Sequence, residues 1–208
     1  FYGCIRLQHV VFVGEELTLN QRVFDDCDSL KDVSLSTGLS SIPSEAFRNC
    51  DSIMSIILPY RIAKIESSAF AECTKLASIT MPNTTTSIAS NAFSYPTRMT
   101  VYGVAGSAAE TWANSNGATF VVNSKPASSI TLNQTEVSML KGSTVTLVAD
   151  IQPMDFTGDV VWKSSNTSIV TVDETGKLTA KVAGTTTVKL AVGEQAAACK
   201  VTVLQPVT

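Results

Sequence analysis

The chain has 208 residues, 15 Lys plus Arg against 18 Asp plus Glu, and a net charge of −3. Hydrophobic residues make up 44% and charged residues 16%, with mean hydropathy +0.19, which excludes a charge-rich disordered chain. No basic patch is present to track a nucleic-acid backbone, and apolar runs as short as Val10–Val13 cannot span a membrane.

A 23-residue period opens the chain. Phenylalanine falls at Phe1, Phe24, Phe47, Phe70 and Phe93. Three residues later come Cys4, Cys27, Cys50 and Cys73, with Pro96 in the fifth slot. Three further on stand Leu7, Leu30, Ile53, Leu76 and Met99. The columns Val10, Val33, Ile56, Ile79 and Phe12, Leu35, Leu58, Met81 follow, then Leu19, Ile42, Ile65, Ile88. One such turn cannot bury its own apolar face, but stacked turns can, each setting the same columns against its neighbour. Ile53–Pro59 and Leu76–Pro82 each hold a short strand that ends at proline. Strands of successive turns are expected to pair in parallel, about 4.7–4.9 Å apart. Ser67–Cys73 has no β-branched run and begins at a serine, so a short helical or 3₁₀ turn is expected opposite the strands.

The array needs an end cap. Ser107 followed by Glu110 is a capping box. Ala109, Trp112 and Ala113 then share one helical face, and Asn116-Gly117 supplies a left-handed stop. A helix over 108–116 is expected to lay Trp112 on the last turn as a core plug.

The run Ala69-Phe70-Ala71-Glu72-Cys73-Thr74-Lys75-Leu76-Ala77-Ser78-Ile79-Thr80-Met81-Pro82 resembles the BspA-like leucine-rich repeats of bacterial surface proteins. The resemblance covers residues 1–122. The first repeat departs from it, with Val13 where later turns have the strand-ending proline.

Residues 123–126 read as a polar linker containing Pro126. Beyond it the apolar period becomes two. Val145, Leu147, Ala149 and Ile151 alternate with Thr144, Thr146, Val148 and Asp150. Leu178, Ala180 and Val182 alternate with polar partners, and Val188, Leu190, Val192 and Cys199, Val201, Val203 repeat the period of two. Gly142, Gly158, Gly176, Gly184 and Gly193 punctuate them. Short strands at this spacing predict an antiparallel β-sandwich over 127–205, with Trp162 in its core. Val161-Trp162-Lys163-Ser164-Ser165-Asn166, Val170–Asp173, Gly176–Ala180 and Ala183–Thr186 look like the group 2 bacterial immunoglobulin-like domain. The expected fold is therefore mixed: a leucine-rich-repeat solenoid of parallel strands and short helical turns, then an Ig-like sandwich. The two resemblances together imply an exported bacterial cell-surface protein, in which the second domain serves as a stalk.

Catalytic chemistry has little material. His9 is the single histidine and no Gly-x-Ser-x-Gly motif is present, so no catalytic, cofactor or metal residues are assigned. Four cysteines in a fixed-phase column spread along a line, which suits neither a metal site nor disulfides. They and Cys199 read as buried free thiols. Asp25-Asp26-Cys27-Asp28 reads as solvated loop charge. Asn83, Asn133 and Asn166 each begin Asn-x-Ser/Thr, a consequence of 49 Ser plus Thr.

What remains is a surface. The outward strand columns are His9, Asp32, Ser55, Ser78 and Val11, Ser34, Ile57, Thr80. Solenoids use such columns as a continuous ligand face. His9, Asp32, Ser34, Ser55, Ile57, Ser78 and Thr80 form the candidate partner-binding set, with Ile57 as apolar anchor. The partner class is a protein, of host extracellular matrix type by the family resemblance, or a glycan. The alternative is a structural spacer within a larger surface enzyme or assembly. Phe1 falls inside a repeat and Leu204–Thr208 reads as a linker, so further repeats, an export signal and a following domain are expected.

Overall fold

The computed structural model describes residues 1–13 and 17–205. The chain divides into two compact units. The first comprises Phe1–Lys125 with Met154–Thr157, the second Pro126–Pro153 with the chain from Gly158 onward. Residues 206–208 of the expected C-terminal linker lie outside the described residues.

In the first unit, short strands recur once or twice per turn. They are β1 (His9–Val11), β2 (Asp32–Ser34), β3 (Ser41–Ile42), β4 (Ser55–Ile57), β5 (Lys64–Ile65), β6 (Ser78–Thr80), β7 (Ser87–Ile88) and β8 (Thr100–Gly103). Helix α1 (Ala108–Asn116) and strand β9 (Thr119–Val122) complete it. All strand pairings in this unit are parallel. The main sheet runs β4-β6-β8-β9, and a narrow second sheet runs β3-β5-β7. Among the described residues β1 pairs only with β2. The ladder is therefore interrupted between β2 and β4: among the described residues no strand pairing joins them, contrary to the unbroken ladder expected from the period.

The core follows the sequence columns. Phe24, Leu30, Ile42, Phe47, Ile53, Ile65 and Ile79 are almost wholly enclosed. Phe1, Phe24, Phe47, Phe70 and Phe93 form one stack, with centroids 5.2–5.4 Å apart and planes within 11° of parallel. The side opposite the strands is a pile of tight turns. Within a turn the bonds are of 3₁₀ type, such as Ala46 N–H to Pro43 O and Arg48 N–H to Glu45 O. Alternate amides reach the next turn instead: Phe24 to Ala46 O, Phe47 to Ala69 O, Phe70 to Ala92 O. Residues with φ of 55–61° (Arg22 and Asp26, Glu45 and Asn49, Ser68 and Glu72) interrupt each segment, so none extends into a helix.

Helix α1 closes the array as its residues dictate. Ser107 Oγ accepts the Glu110 amide at 3.4 Å, and Glu110 Oε2 accepts the Gly106 amide at 2.6 Å. Gly117 ends the helix with φ 74°, its amide on Ala113 O. Trp112 meets Phe93 at 5.0 Å, and its indole N–H donates to Ala89 O.

The second unit is a β-sandwich of β10 (Ser129–Leu132), β11 (Glu136–Leu140), β12 (Thr144–Thr146), β13 (Ala149–Gln152), β14 (Val161–Ser164), β15 (Val170–Val172), β16 (Lys177–Ala180), β17 (Gly184–Val192) and β18 (Gln195–Leu204). Its sheets are β11-β18-β17-β14, β12-β16-β15 and β10-β13. Pairing is antiparallel except between β11 and β18. Trp162 is buried in the core, as expected. Gly176, at φ +82°, leaves room for its ring, because a Cβ there would lie 2.9 Å from it.

Two details depart from simple alternation. Residues 144–152 form two strands, and the chain crosses from one sheet to another at Leu147 and Val148, both buried. Val182 lies past the end of β16 and is exposed, so it does not continue the inward row of Leu178 and Ala180.

Candidate functional site

The outward face is built by strand alternation: one residue per strand points into the stack and its two neighbours point out. Val10, Val33, Ile56 and Ile79 take the inner position. Their neighbours align across strands in two rows. The first row in the main sheet is Ser55, Ser78, Thr100 and Thr119. The second is Ile57, Thr80, Tyr102 and Val121. On the β1–β2 pair the same rows hold His9 with Asp32, and Val11 with Ser34.

All seven candidate residues thus lie on one side of the strands. Ile57 is 38% exposed and Ser55 is open to solvent, whereas Ser78 and Thr80 are half-buried. His9 and Asp32 bond each other, Nδ1 to Oδ2 at 2.6 Å, with both side chains well exposed. The face is not continuous. A groove at the interruption of the ladder is lined by Lys31, Asp32, Ser34, Met54, Ser55 and Ile57. It separates the end carrying the His9–Asp32 hydrogen bond from the hydroxyl-rich end.

Tyr102 and Val121, 37% and 39% exposed, extend the apolar row and were missed from sequence. Ile79 pairs with Val101, which is fully buried, and Thr80 pairs with Tyr102. The step between turns is 22 residues here, one short of the period, so extrapolation from Ile79 points Tyr102 inward. The available signal was the local alternation Thr100-Val101-Tyr102.

The cysteine column has a structural task. Cys27, Cys50 and Cys73 donate S–H to the carbonyl oxygens of Phe1, Phe24 and Phe47 at 2.9–3.1 Å. Each thiol fills a small apolar space and satisfies a carbonyl of the turn before it. All five cysteines are free. Burial pushes the Cys27, Cys50 and Cys199 thiols up, and that of Cys73 to about 12. Cys4 differs from expectation: in the first described turn it is only half-buried.

The acidic run also departs from expectation. Asp25 is fully buried, not solvated. Its Oδ2 takes Arg22 Nε at 2.8 Å and faces Arg48 Nη1 at 3.8 Å. Asp26 accepts from Asn49 Nδ2 at 2.6 Å, which holds its carboxyl below the usual range. The carboxylates tie neighbouring turns together. Among the described residues no three His, Cys, Asp or Glu side chains converge to ligate a metal, and no helix is long and apolar enough to cross a membrane.

Comparison with known proteins matches residues 1–107 to the BspA type leucine rich repeat region, in six copies, and residues 126–203 to the bacterial Ig-like domain (group 2). An uncharacterized protein of Clostridium acetobutylicum is 37% identical over 87 residues, 41% of this chain and 8% of that one. A leucine-rich repeat protein from Bacteroides ovatus superposes with TM-score 0.51 at 28% identity, over 59% of this chain and 32% of that one. A leucine rich cell surface protein from Faecalibacterium prausnitzii is 32% identical, with TM-score 0.41, over 46% of this chain and 25% of that one. The chain therefore spans under a tenth of the curated relative and about a third of the Bacteroides structure.

Proposed function

Because the chain belongs to the BspA-type leucine-rich repeat family and carries a group 2 bacterial Ig-like domain, we propose that it is a non-catalytic, exported cell-surface protein of bacteria, in which the repeats bind a protein partner and the Ig-like unit serves as a spacer. The observation that carries this reading is the row Ile57–Thr80–Tyr102–Val121 flanked by Ser55, Ser78, Thr100 and Thr119. It sets three large apolar groups, each more than a third exposed, on a rigid sheet beside hydroxyls. Side chains held in a sheet lose little freedom on binding, and a tyrosine at the centre of such a row has the composition of an interface anchor. Ser34, Asp32 and His9 form the polar margin across the groove.

The test is a screen of the whole chain against extracellular matrix proteins and glycans, repeated with Tyr102→Ala, Ile57→Asp and Thr80→Lys. All three positions reach solvent, so folding is retained. Loss of a detected interaction in Tyr102→Ala and Ile57→Asp supports the reading. Unchanged binding by all three variants removes this face from consideration. The absence of any ligand favours the reading of the whole chain as a spacer, for which its Ig-like unit already provides a candidate.

A further inference from the structure

We propose that the interruption between β2 and β4 is a seam with two states: the open one in the structure, and a zipped one in which the parallel ladder runs unbroken from β1 to β9. The observation is a set of backbone groups left in register but unbonded. On β2, Asp32 N–H and Ser34 O bond β1, through Gln8 O and Phe12 N–H. Alternate residues of a strand serve opposite neighbours, so Lys31 O, Val33 N–H, Val33 O and Leu35 N–H are left for β4. On β4, Met54 O and Leu58 N–H bond β6, through Ser78 N–H and Thr80 O. That leaves the N–H and C=O of Ser55 and of Ile57 for β2.

The ladders on either side keep a 23-residue offset, His9 with Asp32 and Ser55 with Ser78. The same offset sets Ser55 opposite Asp32 and Ile57 opposite Ser34. The bonds it implies are Ser55 N–H to Lys31 O, Val33 N–H to Ser55 O, Ile57 N–H to Val33 O and Leu35 N–H to Ile57 O. Among the described residues none of them is made, although the two strands still approach within 8 Å.

The rest of these two turns is closed. Phe24 and Phe47 stack at 5.4 Å, as Phe47 and Phe70 do. On the turn side the Arg22, Phe24 and Asp26 amides bond the Ser44, Ala46 and Arg48 carbonyls. The turns are thus joined like a hinge on one side and parted on the other by a groove of about 540 Å³. An inserted strand cannot fill it, because insertion requires about twice the strand spacing of roughly 4.8 Å. Leu35 and Ile56 beside it are 3% exposed, and unpaired backbone groups at such a depth are costly. Closure satisfies them but orders the side chains of both walls, so the two states lie close in free energy.

Zipping brings His9, Asp32 and Ser34 into one face with Ser55 and Ile57. That consequence rests on the reading of this face as the binding surface; the seam itself does not. A partner touching both halves gains contacts only in the zipped state and shifts the chain toward it by that difference.

The experiment uses the whole chain with no partner present. Ser34→Cys with Ile57→Cys spans the seam, and Ile57→Cys with Thr80→Cys is the repeat-equivalent pair on strands already joined. Both are made with Cys4→Ser. A disulfide requires Cα atoms within about 6.8 Å, so the seam pair closes only from the zipped state. In a glutathione buffer the two thiols give up two hydrogens, and oxidised glutathione is reduced. A zipped fraction of about 1–10% lowers the equilibrium constant of the seam disulfide about tenfold to a hundredfold relative to the joined pair. Amide exchange followed by NMR is the second readout. In the unsubstituted chain Val33, Leu35, Ser55 and Ile57 are expected to exchange at least about tenfold faster than Ile56, Leu58 and Thr80. Closing the seam disulfide is expected to bring the two sets level, and retained protection at Ile56 and Thr80 shows that the variants are folded. Three results overturn the proposal. Equal disulfide constants, or seam amides as protected as the others in the unsubstituted chain, make the ladder continuous. No seam disulfide makes the gap fixed. Seam amides unmoved by a disulfide that has formed show that no ladder zips. Binding of a matrix protein or glycan enters none of these readouts, so failure of the seam and failure of the binding face are told apart.

Discussion

Replacing Phe70 by alanine measures whether the repeats share one continuous core. Phe70 is 1% exposed and sits between Phe47 at 5.4 Å and Phe93 at 5.2 Å. Its amide bond to Ala92 O survives the substitution, so the loss comes from the ring alone. Neighbouring turns are fixed by backbone bonds on both sides and cannot collapse into the space. A buried Phe→Ala change in such a setting costs about 3–5 kcal/mol. Phe1 offers the contrast. Among the described residues it stacks on one ring only, Phe24 at 5.4 Å, and is 71% exposed. With under a third of its surface covered, its removal costs about 1 kcal/mol. The gap of about 2–4 kcal/mol follows from the difference between two stacked interfaces and one. Hydrogen exchange of peptides from residues 42–93, followed by mass spectrometry across a urea series, reports this unit separately from the Ig-like one. Equal losses at Phe1 and Phe70, or a loss at Phe70 below that at Phe1, refute the stacked core.

Thiol reactivity should follow burial: at pH 8 Cys4 is labelled first, while Cys73, with its pKa of about 12, is thiolate in only about one molecule in ten thousand. Mass spectrometry after a timed pulse of iodoacetamide checks the order, and prior labelling of Cys50 or Cys73 contradicts it. Ser107→Ala removes the N-cap of α1 and should cost the repeat unit about 1 kcal/mol, read from its urea midpoint. Gly176→Ala adds a Cβ 2.5 Å from Leu147 O at φ +82°, so a loss of about 2–5 kcal/mol in the Ig-like unit is expected; a neutral result shows that the Trp162 pocket yields. Burial raises the Asp173 carboxyl, but hydrogen bonds from the Thr175 hydroxyl and from the Lys177 and Thr175 amides outweigh it and hold the pKa below the ordinary value. The folded state therefore favours the carboxylate. The stabilisation is present above the ordinary aspartate pKa and is lost as pH falls through the folded value. Asp173→Asn should flatten that part of the acid limb in thermal unfolding, and an unchanged limb assigns it elsewhere.

The sequence by itself determined the repeat. Columns of Phe, Cys, Leu and Ile at one period can be buried only by stacking, so the inner faces follow from composition and spacing. Helix α1 was equally legible, because Ser107, Glu110 and Gly117 are local signals acting within a few residues. The inward alternation of β17 and β18 was legible for the same reason. What only the tertiary structure decided depends on which strand meets which. The last inter-turn step is one residue short, and since strand side chains alternate with period two, that single residue reverses the face extrapolated for Tyr102. The interruption between β2 and β4 has no signature in columns that continue through it. Asp25 is buried because Arg22 and Arg48, 3 and 23 residues away, converge on it once the turns are piled. Lys163 meets Lys189 because the strands β14 and β17 pair in one register among several that would bury Trp162 and Leu190 alike. Local periodicity fixes which side of a strand is buried; long-range register, set by packing across the whole unit, fixes what each exposed residue has beside it, and a binding surface is made of those neighbours.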